Sequence, residues 1–153
     1  MRRVSRRLRL AVFIAYAATL AVATHWPGVV IDGPVPRSDL WVHLGAFGLW
    51  AMLLAITGVG GKIGGPKNLL GTLVIGVMYA AVDEFTQQFF GRISAFDDFL
   101  ADAIGVVLGT ASVGFAAAIV HRRDHPNGGV ERDPDQGISS GHLRETGSAK
   151  AGH

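Results

Sequence analysis

Asp39 and His43 stand four residues apart, Glu84 and Gln87 three apart, and Asp98 and Asp102 four apart, with Arg92 between the last two pairs. Spacings of three and four place side chains on one face of a helix. A carboxylate beside an imidazole fixes its tautomer, so Asp39 is expected to orient His43 as a nucleophile or general base. Arg92 brings a planar fork suited to phosphate. Glu84, when protonated, can serve as general acid, while Gln87, Asp98, Asp102 and Tyr79 supply groups that position a substrate. These are the residue types that phosphoester hydrolysis or transfer requires.

The elements that carry them are apolar. The chain has 153 residues, of which 49% are hydrophobic and 17% charged. Long apolar runs occupy residues 8–24, 42–60, 69–82 and 99–120. A helix needs about 20 mainly apolar residues to cross a hydrocarbon core of about 30 Å, and these runs are apolar nearly all round rather than along one stripe. The expected fold is all-α, an integral membrane bundle of four transmembrane helices with spans at about 8–26, 41–60, 69–90 and 98–120. Residues 1–122 form its single domain. Residues 123–153 turn to Asp, Gly, Ser, Pro, Glu and His, too poor in large apolar side chains to order themselves, and read as a disordered cytoplasmic tail. With no cysteine, chemistry must come from oxygen and nitrogen groups.

Arg2, Arg3, Arg6, Arg7 and Arg9 precede the first span, Lys62 and Lys67 lie between the second and third, and Arg122 and Arg123 follow the fourth. Arg37 and Arg92 are the basic residues of the other side. Lys and Arg gather in short cytoplasmic loops, so both termini are expected inside and the loops 25–40 and 90–98 outside. The stretch SRRLRL also resembles a twin-arginine signal, with Ala21, Val22 and Ala23 as a cleavage site. Trp26 at the outer end and the spans that follow favour a retained first helix. The Pro- and Gly-rich segment THWPGVVIDGPVPRSD, residues 24–39, reads as a folded cap, and GVGGKIGGPKN as a flexible inner turn.

On this topology the second helix starts outside with Asp39 and His43, the third ends outside with Tyr79, Asp83, Glu84, Gln87 and Gln88, and the fourth starts outside with Asp97, Asp98 and Asp102. At 1.5 Å per residue from Phe90, Glu84 lies about 9 Å below the outer edge. A carboxylate at that depth must be paired, hydrated or protonated. The expectation is a water-accessible pocket lined by three helices and opening outward. Plainer roles stand beside it: Asp97 as a cap of the fourth helix, Asp83 and Gln88 as interhelical glue, Tyr79 as a buried aromatic, Arg92 as an interfacial anchor. Ala101, Gly105 and Gly109 form a small-residue ridge that permits close helix approach, either within the chain or as a homo-oligomer contact through Gly105 and Gly109.

Asp39-Leu-Trp-Val-His43, Glu84-Phe-Thr-Gln87, Gly91-Arg92 and Asp98-Phe-Leu-Ala-Asp102-Ala-Ile-Gly105 together resemble the VanZ-like family of small bacterial membrane proteins. The resemblance runs from about Ser38 to Gly109. Leu40 stands where the family often has Lys, and Asp102 where it often has Asn. The resemblance implies a multi-pass cell-membrane protein. It also implies kinship with proteins of glycopeptide resistance, the name-giving member being associated with teicoplanin, and with membrane enzymes that handle lipid head groups. Fold kinship alone is a weak guide to function.

Three functions compete. The first is an enzyme acting on phosphoester head groups of membrane lipids or lipid-linked cell-envelope intermediates. The second is a non-catalytic protein that binds a head group or antibiotic. The third, an ion-coupled transporter, lacks an ionisable relay: the third helix has only Tyr79 below Asp83, and the fourth has nothing below Asp102. Asp39, His43, Glu84, Asp98 and Asp102 would suit Mg²⁺, Mn²⁺ or Ca²⁺ as a cofactor, although no recognised metal motif is present. The basic N-terminus is an orientation signal rather than a nucleic-acid site.

Overall fold

A computed structural model of the chain describes residues 5–26, 37–91 and 96–124. These residues form four helices: α1 (Arg6–His25), α2 (Ser38–Thr57), α3 (Pro66–Gln87) and α4 (Phe96–Asp124). A short 3₁₀ turn, Gln88–Phe90, prolongs α3. All four are long and apolar enough to cross a membrane. The helices run alternately up and down, so the start of α1, the α2–α3 turn and the end of α4 share one end of the bundle. That is here the basal end. The end of α1, the start of α2, the end of α3 and the start of α4 share the other, the polar end.

Local chemistry sets the boundaries. Ser5 caps α1 by accepting the Leu8 backbone N–H at 3.3 Å. Pro66 occupies the first turn of α3, where its missing N–H costs nothing. Gly58 ends α2 in the left-handed region at φ 67°, its N–H returning to the Ala55 carbonyl. α4 has 29 residues, about 43 Å at 1.5 Å per residue. It therefore outruns the hydrocarbon layer and carries Arg122 and Arg123 in its last turn, where cations favour the helix C-terminus.

α2 and α3 each touch every other helix, and the most extensive contact joins α2 to α4. Glycine makes that contact possible. A Cβ on Gly105 would meet the Leu44 carbonyl oxygen, and one on Gly109 the Gly48 carbonyl oxygen, so backbone approaches backbone. Gly105 and Gly109 are thus buried against α2 within the chain. Around this crossing Phe47, Trp50, Ala51, Leu54, Ala80 and Val106 form the core. Large apolar side chains such as Ile14, Leu70, Met78, Phe85 and Phe115 point outward. In lipid that outward face costs little, and packing rather than hydrophobic burial holds the helices together.

The α2–α3 turn, expected to be flexible, is pinned. Buried Asn68 donates to the Ala55 carbonyl at 2.8 Å and accepts the Gly60 N–H at 3.2 Å. One amide thus bridges both helices and the loop. Residues 27–36 of the expected cap and 125–153 of the expected tail lie outside the described residues, while Arg123 and Asp124, expected to begin the tail, belong to α4.

Candidate functional site

The polar end gathers ionisable and amide side chains from all four helices. From α2, His43 is buried, and its Nδ1 lies 3.0 Å from Oδ1 of Asp102 on α4, which is wholly buried. Asp102, expected to touch substrate, is thus the carboxylate bonded to the His43 imidazole, the contact expected of Asp39. The reason is the α2–α4 crossing: Leu44 and Gly48 meet Gly105, and one turn nearer the polar end the same approach brings His43 to Asp102. Asp39, one turn before His43, is only half-buried.

A second cluster joins α1 to α3. Asp83 is buried and accepts the Thr24 hydroxyl at 2.9 Å through Oδ1 and the Gln87 amide at 2.9 Å through Oδ2. The His25 imidazole lies 3.7 Å from Asp83 Oδ1, with Nε2 2.8 Å from the Thr86 hydroxyl. Thr24 and His25 read from the sequence as the first residues of a loop and not as members of this cluster. Their signal was their place at the outer end of α1, at the level of Asp39 and His43. Gln87, expected to position substrate, braces Asp83 through its amide N–H₂. Asp83 is interhelical glue in the sense of a carboxylate bonded across two helices.

Glu84, on the same buried turn as Asp83, is 6% exposed. Tyr79 lies one turn below, stacked on Trp50 with centroids 4.9 Å apart, with Phe47 at 5.7 Å from the Tyr79 ring. Phe13 meets Trp50 edge-on at 5.2 Å. This aromatic layer floors the polar cluster. The Tyr79 hydroxyl and Asp102 Oδ2 have no hydrogen-bond partner among the described residues. Each keeps capacity to bond a water or substrate group.

At the rim, Arg37 and Asp97 form an exposed pair at 2.8 Å that ties the start of α2 to the start of α4. Its hydrogen bond to Asp97 holds the Arg37 guanidinium above its ordinary range. Asp97 thus sits inside the first turn of α4 and faces a cation. Asp98 is half-buried on the next position. Arg92 lies outside the described residues. Among the described residues no group of three or more His, Asp or Glu side chains is placed to hold a metal ion. Two cavities, of about 580 Å³ and 200 Å³, lie at the basal end, remote from this cluster.

Four membrane-length helices in alternating direction, with three carboxylates and the His43 imidazole buried at one end, define a small multi-pass membrane protein with an internal polar cluster. The VanZ/LLP1 family model matches residues 10–117, and the chain belongs to the VanZ-like family. Comparison with curated proteins and with solved structures gave no match.

Proposed function

We propose that the protein acts on phosphoester head groups of lipids or lipid-linked cell-envelope intermediates at its polar end, and that this end faces the outer leaflet with both termini cytoplasmic. The observation that supports this most is the buried His43–Asp102 pair at 3.0 Å. A carboxylate that accepts from Nδ1–H leaves the lone pair on Nε2 and stabilises the imidazolium formed when Nε2 takes a proton or attacks phosphorus. Arg92 would neutralise the phosphate. Glu84, when protonated, would donate its proton to the leaving oxygen. The Tyr79 hydroxyl, Asp39 and Asp98 would orient the head group, and the Asp83–Gln87–Thr24 bonds would hold α3 in register beneath it.

A specific observation favours a second reading. His43 is only 5% exposed, as suits a pair that holds α2 to α4 in a protein that binds a head group or glycopeptide without turnover. Incubating purified protein with native membrane lipids and lipid-linked wall precursors, with and without Mg²⁺, and following head-group masses separates the two. A released or exchanged head group supports the enzyme; unchanged lipids with folded protein support the binder.

A further inference from the structure

The basal end carries a feature that the polar site does not use. The 580 Å³ cavity opens between α2, the α2–α3 turn and α4. Its walls are Met52, Ile56, Val113 and Ala117, at the depth of the hydrocarbon, and its rim holds Lys62 and His121. From Ser112 to His121 the α4 wall covers nine residue steps, about 13 Å of helix. The smaller cavity shares Ile56 and is edged by Arg9. Arg9 Nε is buried with no hydrogen-bond acceptor among the described residues. An apolar slot that runs into the membrane, with Lys62 and Arg9 at the level where lipid phosphates lie, complements an anionic amphiphile in shape and charge. Basic pockets between helices commonly hold such head groups.

We propose that this groove is a binding site for one anionic phospholipid of the leaflet at the basal end. An acyl chain lies along Ile56 and Val113, and the phosphate rests at Lys62 and His121, with Arg9 across Ile56 as a further donor. Charge complementarity selects the occupant: Arg122 and Arg123 in the last turn of α4 add to the field at the same rim. The site is independent of any chemistry at His43.

The test is native mass spectrometry of the full chain released from micelles containing equal phosphatidylglycerol and phosphatidylcholine. Wild type should retain one phosphatidylglycerol in preference to phosphatidylcholine. Lys62→Gln, at an exposed position, should lower that affinity about fivefold, the effect of roughly one basic residue at a membrane surface. Ala116→Trp, which fills the groove from an exposed position on α4, should abolish retention of the lipid while the helical circular dichroism is unchanged. Equal retention of the two lipids by wild type, or undiminished phosphatidylglycerol on Ala116→Trp, would overturn the proposal by showing annular lipid only. Displacement of phosphatidylglycerol by stoichiometric oleate would overturn the choice of a phospholipid.

Discussion

Asp102→Asn and Asp102→Ala should differ sharply in stability, because they remove different parts of one interaction. Asp102 is wholly buried, His43 nearly so, and the contact is a single Nδ1···Oδ1 bond of 3.0 Å. Asparagine keeps an acceptor oxygen at that position and removes the charge. With the imidazole neutral and donating through Nδ1–H, asparagine removes the one charge of the pair and keeps its acceptor, so Asp102→Asn should lie within about 1 kcal/mol of wild type. Alanine leaves the imidazole N–H facing α4 with nothing to accept it, a penalty of about 1–3 kcal/mol for a buried donor. The predicted gap between the two variants is therefore about 1–3 kcal/mol, or roughly a factor of 5 to 150 in the unfolding equilibrium. Reversible unfolding in mixed micelles of increasing dodecyl sulfate, followed by circular dichroism, reads it directly. Equal destabilisation by both variants would show that charge, not the hydrogen bond, holds α2 to α4. No effect from either would show that the bond is not formed.

Three further outcomes follow from the packing and the polar end. Gly109→Leu drives a side chain into the Gly48 carbonyl, and since backbone cannot swing away, the same unfolding assay should show a loss of about 1–3 kcal/mol or more. Asp83→Ala removes the bonds that Thr24 and Gln87 donate to its carboxylate; it should cost about 1–4 kcal/mol, more than Thr24→Val, which removes one bond of the two. The chain has no cysteine, so Lys62→Cys and Gln88→Cys report orientation cleanly: an impermeant maleimide added to whole cells should label Gln88→Cys and not Lys62→Cys, and the reverse pattern would refute the proposed topology.

Much of the fold was legible because lipid imposes a simple demand. Backbone polar groups must be satisfied within each segment, so four long apolar runs become four helices. Boundaries moved by a few residues where capping decided them, as at Pro66 and at Arg122 and Arg123. The polar end was legible as a level in the membrane, since alternate helix direction places His43, Glu84 and Asp102 together. Which carboxylate meets which imidazole was not. Asp39 sits four residues from His43 and is visible in one dimension; Asp102 is 59 residues away and reaches His43 only because Gly48, Gly105 and Gly109 let two backbones touch. Thr24 and His25 escaped notice for a related reason. A threonine and a histidine before Trp-Pro look like a loop until Asp83 is found bonded to one and beside the other. The basal groove depends on how the α2–α3 turn folds back on α4, which no spacing in the sequence records.

The measurement that bears most directly on His43 chemistry compares wild type, His43→Ala and Asp102→Asn in the head-group assay, each protein first shown to be folded. Wild type should form a product and His43→Ala none, and Asp102→Asn should lose up to about 10⁴-fold in rate, as befits a carboxylate that orients an imidazole. Product formed at the wild-type rate by folded His43→Ala would contradict this role of His43.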